Sequence, residues 1–375
     1  MQRKILVITC AAILAVASGA RADTNVTIGY VGPLSGQNAH IGKDAENGVR
    51  LAIDEANSAN VTIGGATVRF LLDSQDDAAD PKTAVVIAQK LVDDKVSGVV
   101  GDLNSGTTIP ASKVYASAGI PQVSPSATNP TYTRQGFATA FRTIGDDNDV
   151  GRCVAQYMAR TKRYKRVAII DDGTAYGQGL ADVVSAELKA NGVDVVAREF
   201  VNDKAIDFRG VLTSIKSKDA QAIFFGGLDG QAGPLRKQMN TLAMKTPLLG
   251  AGIQTDKFVQ LAGPEAAEGV VSAASGLPLE KLPRGKDFST RFAKYGPVVL
   301  YSPYAYDATW ALINAMKLAN STSPKEYLGA MTKVDFEGVT GQIAFDAKGD
   351  LRTANVTIYE VDKGKFIPLT TYSQK

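Results

Sequence analysis

Residues 26–57, VTIGYVGPLSGQNAHIGKDAENGVRLAIDEAN, carry the pattern that decides the fold. The segment opens with VTIGYV, a short run rich in β-branched residues that is typical of a buried strand. Its second half has apolar side chains at Val49, Ala52, Ile53 and Ala56, which is the i, i+3, i+4, i+7 spacing of an amphipathic helix. A strand followed by a helix with one apolar face predicts the first unit of an α/β domain.

The same alternation of strand and helix continues along the chain. Further strand candidates begin at Thr67, Val96, Arg166, Val193 and Gln221. An apolar stripe with helical spacing lies between the first two of these strands, at Ala84, Ile87, Ala88 and Leu91. Strands that alternate with amphipathic helices predict an α/β fold in which helices cover both faces of parallel sheets.

The pattern also predicts where a second unit begins and how the chain ends. RVAIIDDGTAYGQG, residues 166–179, restarts the strand-then-helix pattern, which runs until about residue 143 in the first unit. Near the C-terminus, turn signals at 348–350 and 362–364 separate alternating apolar and polar residues, which predicts β-hairpins. We therefore expect two α/β lobes that are connected by several crossings of the chain.

The N-terminus predicts export. Two basic residues precede an apolar run at 5–17, and Ala-Arg-Ala at 20–22 forms a small-residue cleavage site. This is the pattern of a secretory signal peptide at residues 1–22, and the apolar run is too short to remain as a membrane anchor. We expect no lipid anchor at Cys10, because Thr9 occupies the position where lipidation signals require a small residue.

Charge and cysteine content narrow the classes of partner. The 375-residue chain has 41 Lys and Arg and 38 Asp and Glu, and three of the basic residues lie in the predicted signal peptide. The remaining chain is balanced at 38 of each sign, so we expect neither nucleic acid nor an acidic surface as a partner. Cleavage leaves Cys153 as the only cysteine, so burial rather than a disulfide framework must stabilise what we expect to be a monomer.

Residues with catalytic chemistry are scarce. His40 is the only histidine, which excludes a histidine-rich zinc site and a relay of two imidazoles. Residues 36–44, GQNAHIGKD, imitate a phosphate-binding loop, but Asp44 stands where a magnesium-binding Ser or Thr is required. Cys153 lies on a predicted amphipathic helix and is interpreted as a core thiol. We therefore predict no catalytic residue, no cofactor and no metal, and hence a binding protein rather than an enzyme.

Polar loops follow the predicted strands of the first half. In GDLNSGTTIPASK, residues 101–113, Ser105 lies where a helix begins. Its hydroxyl and the adjacent N–H groups suit either an anion or simple capping of the helix. PQVSPSATNP, residues 121–130, is either a turn or a ligand-binding loop. Its Ser126 and Thr128 would face Ser105 if the two preceding strands are neighbours in the sheet.

The second half offers further candidates. Tyr176 follows a strand and precedes a helix, and its phenol combines an apolar ring with a polar tip. Asp229 follows the next strand beside glycines that allow close approach to a ligand, and it suits either an ammonium group or a solvated loop. Tyr304 and Tyr306 either form an aromatic wall or pack within their helix.

Several segments together resemble the periplasmic leucine/isoleucine/valine-binding protein family, whose members deliver ligands to ABC importers. They occur in the same order over nearly the whole chain after the signal peptide, and they are residues 26–57 and the segments DDAADPKTAVVIAQKLV, GDLNSGTTIPAS, GIPQVSPSATNP, DDGTAYGQGLA and AFDAKGD. The resemblance implies a type I periplasmic binding fold: two Rossmann-like lobes, each a mostly parallel sheet flanked by helices, joined by three crossovers around a ligand. It places the first lobe at 23–143 plus 273–352 and the second at 144–272 plus 353–375.

The resemblance also implies how the first lobe holds its ligand. It places the hydroxyl and N–H of Ser105 on a ligand carboxylate, and the hydroxyl and N–H of Thr128 on the same amino-acid head group. Ser126 stands where the family offers a backbone carbonyl to the ligand's ammonium group. Ala127 lies between these two positions and completes the predicted loop.

Two aromatic residues complete the predicted site, and one acid of the family is missing. Tyr176 matches a tyrosine that the second lobe adds on closure, and Tyr306 matches an aromatic residue near the ligand side chain. The family commonly carries an acid in the segment LLGAGIQT to pair with the ammonium group, but this chain has Ala251 and Gly252 there. Because an unpaired buried ammonium is costly, either Asp229 replaces the acid or the ligand lacks an α-ammonium group.

These observations predict a periplasmic solute-binding component of an ABC importer. We expect it to enclose a small carboxylate-bearing ligand, above all a branched-chain or other aliphatic amino acid, between its lobes. The closed form would then meet the permease and, through it, the ATPase. Two alternatives remain open: a ligand that is not an amino acid, such as an aromatic acid or amide, and an extracytoplasmic sensor that passes a ligand signal to a receptor.

Overall fold

The first sheet is built from the N-terminal part of the chain. The computed structural model describes residues 24–374, so the predicted signal peptide at 1–22 lies outside the described residues. Strands of this sheet are β1 Thr24–Gly32, β2 Thr62–Ile63, β3 Ala66–Asp76, β4 Gly98–Val100, β5 Gln122–Ser124 and β6 Ala140–Arg142. Their spatial order is β2-β3-β1-β4-β5-β6, and the neighbours are parallel except for β2 with β3. The predicted parallel arrangement is confirmed.

Helices cover both faces of this sheet. The first ones along the chain are α1 Ala39–Ser58, α2 Pro81–Asp93, α3 Ser105–Ala118 and the short α4 Thr131–Arg134. The apolar stripes predicted on α1 and α2 are buried at every position. The stripe of α2 packs with α3 residues against one face of the sheet, and the stripe of α1 packs against the other face. Burial of these faces is what fixes the helices on the sheet.

The chain then forms a second sheet, in which strands again alternate with helices. It contributes α5 Asp147–Gln156, β7 Arg166–Asp171, α6 Ala175–Ala190, β8 Asp194–Phe200, α7 Arg209–Lys216, β9 Ala222–Gly226, α8 Asp229–Thr241, β10 Leu248–Ala251, α9 Asp256–Ala262, α10 Pro264–Ala267 and β11 Val271–Ser275. A π-helical turn at Tyr157–Thr161 extends α5. The restart of the pattern at Arg166 is therefore confirmed, because β7 begins at that residue.

The remaining chain returns to the first lobe and then to the second sheet. Its elements are α11 Gly285–Phe292, α12 Ser302–Ala319, α13 Pro324–Met331, β12 Asp335–Glu337, β13 Gln342–Ala344, β14 Ala354–Asp362 and β15 Lys365–Gln374, with 3₁₀ turns at Leu279–Lys281 and Ala293–Tyr295. The second sheet has the order β15-β14-β11-β10-β9-β7-β8, with antiparallel pairing only from β11 to β15. Within residues 24–374, none of the helices combines the length and apolarity needed to cross a membrane.

The C-terminal hairpin forms where the sequence predicts it. β14 and β15 pair antiparallel and are joined through Lys363 and Gly364. At the other predicted turn, Phe345 and Leu351 form a single antiparallel bridge around Gly349, whereas β13 pairs with β12 instead. The 345–351 segment is thus a tight turn rather than an extended hairpin.

The chain crosses between the two sheets three times: after β6, after β11 and before β14. The predicted limits at 143/144 and 352/353 fall in the connections next to β6 and β14. The predicted limit at 272/273 falls inside β11, because Val271–Ser275 pairs along its whole length with β14. That crossing therefore lies after Ser275, which corrects the sequence-based limit.

One close approach anchors the returning helix to the first lobe. α12 packs on α1, and Gly48 of α1 faces the backbone of Ser302. A Cβ at residue 48 would lie 2.2 Å from the Ser302 carbonyl oxygen, so a side chain is excluded there. Asp44, one turn earlier on α1, accepts four N–H groups from residues 299–302. Together these contacts fix the segment that carries Tyr301 and Tyr304 beside the ligand site.

Candidate ligand-binding site

Two cavities lie between the lobes, bordered by loops that follow the strands of both sheets. The smaller one, the inner cavity, has a volume of about 40 Å³ and is bordered by residues that include Thr128, Asp147, Tyr176, Gly252, Tyr301 and Tyr304. The larger one, the outer chamber, has a volume of about 560 Å³ and is bordered by residues that include Gln37, Asn104, Asp172, Tyr176, Phe200 and Leu228. Open α/β sheets bind ligands at this edge, so these two cavities define the candidate site.

Ser105 is the first residue of α3 and faces the loop at 124–130. The residue that caps this helix is Asn104, whose side chain makes no capping hydrogen bond. The Ser105 hydroxyl instead accepts the N–H of Asn129 at 3.2 Å. Simple helix capping therefore does not describe the Ser105 side chain, which links the two loops that were predicted to face each other.

In the 124–130 loop, the serine hydroxyls form hydrogen bonds within the protein, whereas the hydroxyl of the threonine forms none. Ser124 Oγ accepts the N–H of Ala127 at 3.0 Å, and Ser126 Oγ donates to the Leu103 carbonyl at 2.7 Å. Thr128 Oγ1 is buried and has no hydrogen-bond partner among residues 24–374. The Thr128 hydroxyl is thus the side chain of this loop that a ligand can reach, whereas the Ser126 side chain is already engaged.

A buried arginine, which the sequence alone does not single out, holds this loop from behind. Arg142 is fully buried and donates from Nη1 to the Ala127 carbonyl at 2.7 Å and from Nη2 to the Asn129 carbonyl at 3.2 Å. Its charge is balanced by Asp350, whose Oδ1 lies 2.8 Å from Arg142 Nε. The Ala127 carbonyl therefore accepts a hydrogen bond from Arg142, and this contact holds the backbone of the loop in place.

Asp147, which sequence reasoning missed, places a carboxylate at the inner cavity. It begins α5, and its N–H donates to the Thr128 carbonyl at 2.9 Å. The residue is 0% exposed, and neither carboxylate oxygen has a hydrogen-bond partner within the described part of the chain. Burial raises the pKa of Asp147 to about 7, and this rise is opposed more weakly by the Arg142 guanidinium and by the Thr128 hydroxyl, which is close enough to lower the pKa but does not have hydrogen-bond geometry to the carboxylate. The preceding Asp146 caps α5 with its side chain. Two adjacent aspartates, of which only one is needed as a helix cap, were therefore the feature of the sequence that could have pointed to Asp147.

Tyr176 belongs to the second lobe, and its hydroxyl lies beside Ala251 and Gly252, the segment where the resemblance led us to expect an acid. Its hydroxyl donates to the Ala251 carbonyl at 2.9 Å, and burial raises its pKa well above the ordinary value, so it stays a neutral donor. A Cβ at Gly252 would lie 3.2 Å from the Tyr176 oxygen and 3.7 Å from that of Tyr301. Two phenols therefore occupy the space into which an acidic side chain at this position would extend.

Asp229 borders neither cavity and instead connects the lobes. It is 1% exposed, and its Oδ2 lies 2.8 Å from His40 Nε2 of the first lobe and also accepts the Thr255 hydroxyl. A second direct contact between the lobes joins Asn129 Nδ2 to the Ala175 carbonyl at 2.6 Å. In this arrangement the carboxylate of Asp229 is directed to an imidazole and not to the inner cavity.

Tyr306 lies away from both cavities, which corrects its place in the predicted site. Its hydroxyl donates to Glu55 Oε2 at 2.6 Å, and its ring packs edge-on against Phe288 with centroids 5.4 Å apart. Successive residues of a helix are separated by 100°, so Tyr304 and Tyr306 point to opposite sides of α12. Tyr301 and Tyr304 border the inner cavity instead, and the Tyr304 hydroxyl donates to the Ser275 carbonyl at 2.8 Å.

Comparison with known proteins agrees with this architecture. The family model described as periplasmic binding protein matches residues 25–365. The chain is 36% identical to the Leu/Ile/Val-binding protein homolog 1 of Brucella suis over 360 residues, which covers 95% of each protein.

Solved structures share the fold. The branched-chain amino acid transporter substrate-binding protein LivJ of Streptococcus pneumoniae, in complex with isoleucine, is similar with a TM-score of 0.82 and 29% identity, over 92% of this chain and all of that one. A solute-binding protein of an ABC transporter from R. palustris, in complex with benzoate, has a TM-score of 0.82 and 22% identity, over 92% of this chain and 96% of that one. At that identity, the second likeness concerns the fold alone. With two Rossmann-like lobes around an inter-lobe site and a family match over nearly the whole described chain, this protein belongs to the periplasmic binding protein family.

Proposed function

We propose that this chain is the periplasmic substrate-binding component of an ABC importer and that it encloses a small α-amino acid between its lobes. The observation that carries the proposal is the buried carboxylate of Asp147, which borders the inner cavity without a hydrogen-bond partner among residues 24–374. A buried charge without a partner costs several kcal/mol. A ligand ammonium group supplies the missing partner, so the site favours a ligand that carries one.

The head group of an amino acid has a partner for each of its charges. The ammonium group would contact Asp147 and the hydroxyl of Thr128, both of which lack a hydrogen-bond partner within the described residues. The carboxylate would lie at the N-terminus of α3, where the helix end carries a partial positive charge; Ser105 borders neither cavity in this arrangement, so its hydroxyl would join the carboxylate only after the lobes have moved. This allocation answers the missing acid at Ala251 without requiring Asp229, which His40 already engages.

The ligand side chain would meet an apolar surface. Ile144, Val150 and Leu300 border the inner cavity together with the rings of Tyr301 and Tyr304. At about 40 Å³ this cavity holds only a few water molecules, so a branched-chain amino acid requires the lobes to separate before it enters. Closure would then bring Tyr176 and the contact between His40 and Asp229 back into place.

The other steps of transport follow from the family and the sequence. The predicted signal peptide would direct the chain to the periplasm, where binding proceeds without turnover of the ligand. The closed form would present a surface from both lobes to a membrane permease, which acts with its ATPase. The same binding step would also serve a sensor that passes a ligand signal to a receptor. Neighbouring genes for a permease and an ATPase would favour transport, whereas a neighbouring gene for a receptor kinase would favour sensing.

A small aromatic acid is the second candidate ligand, and one observation favours it. The hydroxyls of Tyr176 and Tyr301 lie beside Gly252, next to Ala251, where the resemblance places an acid, and phenols are donors for a carboxylate or hydroxyl group. Because its pKa is raised to about 7, Asp147 is also partly neutral near that pH and then donates a hydrogen bond. The aromatic acid thus requires Asp147 in its protonated form.

Calorimetric titration with a panel of ligands tests the proposal. At pH 8 we expect binding of leucine, isoleucine or valine, because Asp147 is then ionised and suits an ammonium group. Binding of benzoate without binding of any of these amino acids would replace the first candidate with the second. Unchanged ligand concentration after long incubation is expected of a protein that binds without turnover.

A further inference from the structure

The outer chamber is much the larger cavity, and the amino-acid head group proposed above would reach only its edge, where Asn104 and Gly106 at the N-terminus of α3 border it. Its volume of about 560 Å³ falls in the range of ligand pockets, and loops of both lobes border it. Tyr176 borders the chamber and the inner cavity alike, so this side chain lies between the two spaces. A ligand that is longer than a branched-chain amino acid would pass this side chain to occupy both spaces.

The charges around the chamber have one sign. Asp172 and Asp203 contribute carboxylates, and Gln37, Asn104 and Gln231 contribute side-chain amides. No Lys, Arg or His is among the described residues that border it. The charged side chains at the chamber are therefore all acidic, which favours a positively charged group beside them.

Asp172 provides a buried carboxylate on the wall from the second lobe. It is 4% exposed, and its Oδ1 accepts the N–H of Thr174 at 2.9 Å and the Thr174 hydroxyl at 2.6 Å. Both bonds are made to one oxygen, which leaves Oδ2 for another donor. Burial raises the pKa of Asp172 to about 6, so the group is mostly ionised at pH 7.5.

Asn104 provides an acceptor on the opposite wall, from the first lobe. Its Oδ1 is buried and has no hydrogen-bond partner in the part of the chain that the structure describes. As the capping residue of α3 it makes no side-chain bond to its own helix. An acceptor that is desolvated without a donor is unfavourable until a ligand supplies one.

Apolar groups lie between these polar walls. Leu228, Val201 and Pro81 border the chamber, together with the rings of Tyr176 and Phe200. Such a surface suits methylene groups, and the two acceptors suit a donor at their end. The occupant that fits is therefore an apolar stem with a cationic tip.

We propose that the outer chamber is a second subsite, which receives the positively charged end of a basic amino acid with an aliphatic stem. The ammonium or guanidinium tip is held by the carboxylate of Asp172 and the amide oxygen of Asn104, and the stem passes Tyr176. This assignment rests on the proposed amino-acid function and names the ligand class of that site.

Matched ligand pairs test the assignment in calorimetric titrations of the wild-type protein at pH 7.5. Lysine is compared with norleucine, which lacks the terminal ammonium group, and arginine with citrulline, which carries a neutral urea in place of the guanidinium. We expect the charged member to bind at least about tenfold more tightly, since its tip gains a charge-assisted hydrogen bond. Equal or tighter binding of the uncharged members would overturn the assignment.

Two aspartate variants locate the effect. Asp172→Asn keeps an oxygen that accepts the bonds from Thr174, and it should lower the preference for lysine over norleucine by about tenfold. Asp182→Asn removes a carboxylate from the exposed side of α6, outside the chamber, and should keep the preference. A preference that survives Asp172→Asn would overturn the assignment to this residue, and the wild-type comparison decides the question if the variant does not fold.

The outcomes also distinguish failure of the second subsite from failure of the proposed amino-acid binding. If leucine and norleucine bind and the basic amino acids do not, the second subsite is wrong and the amino-acid function stands. If none of these amino acids binds, the proposed function itself fails.

Discussion

The substitution Asp147→Asn separates the role of this carboxylate in binding from its cost to the ligand-free fold. Burial raises the pKa of Asp147 from an ordinary value near 3.8 to about 7, so the folded protein holds this proton more tightly than the unfolded chain does. The stabilising contribution of the neutral acid is complete at low pH and is lost as the pH rises through 7. The shift corresponds to roughly 4 kcal/mol of stability lost by pH 8. An amide carries no charge, so ligand-free Asp147→Asn should be more stable than the wild type at pH 8, and the advantage should shrink to less than half at pH 5 and vanish only below the ordinary pKa near 3.8.

The same substitution should weaken the binding of an amino acid. Removing one partner of a buried ion pair costs about 3–5 kcal/mol, which raises Kd by roughly 100-fold to 5000-fold. In the wild type, an ammonium ligand prefers the ionised form of Asp147, so its affinity should be highest above pH 7. Below pH 7 it should fall by up to about tenfold per pH unit, and Asp147→Asn should lack this dependence.

Urea unfolding of the ligand-free proteins at pH 5 and pH 8, together with calorimetric titration at pH 8, measures both effects. Asp149→Asn is the matched control, because it removes a carboxylate from the same helix that does not border the inner cavity. Its Kd should stay that of the wild type. The reasoning is refuted if Asp147→Asn binds leucine as tightly as the wild type and is no more stable at pH 8.

Three further substitutions test individual contacts. His40→Ala removes the contact to the Asp229 carboxylate between the lobes and should raise Kd about tenfold, with a larger radius of gyration by X-ray scattering; an unchanged Kd would show that this contact does not stabilise closure. Gly252→Ala places a methyl group 3.2 Å from the Tyr176 hydroxyl on a backbone with φ of +69°. It should lower the free energy of unfolding by about 1–2 kcal/mol, and urea unfolding without a loss would contradict the tight contact. Tyr306→Phe should leave Kd unchanged in calorimetry, and a raised Kd would return Tyr306 to the ligand site.

The fold could be predicted because its signals are local. The apolar stripes on α1 and α2 depend on spacing within one helix, and the restart at Arg166 depends on one β-branched run. The limit placed at 272/273 was wrong because strand pairing decides it: β11 extends to Ser275 through its bonds with β14, which is about 80 residues away in the chain. Pairing between segments so far apart in the chain cannot be predicted from the sequence of the strand itself.

The sequence could predict which loops lie next to each other, but whether their residues bind a ligand stays a prediction. Ser105 and Thr128 lie in loops whose strands are neighbours, as β4 pairs with β5. Tyr306 was misplaced because two residues along a helix turn a side chain to the opposite side, and motif register does not fix the helix to that accuracy. Asp147 was missed because its raised pKa arises from burial in the folded protein, where Thr128 and Arg142 of the first lobe are its neighbours. The two phenols beside Gly252, those of Tyr176 and Tyr301, come from distant segments of the chain. The sequence therefore could not predict which side chains lie where the expected acid is missing.

The central claim is that the site binds an α-amino acid through its ammonium group, with Asp147 as the partner. The most direct measurement is a pair of calorimetric titrations at pH 8, one with leucine and one with 4-methylpentanoate, which has the same carboxylate and side chain without the ammonium group. We predict that leucine binds at least about 100-fold more tightly, because the analogue leaves the buried carboxylate unpaired. Binding of 4-methylpentanoate with equal or higher affinity would contradict the account.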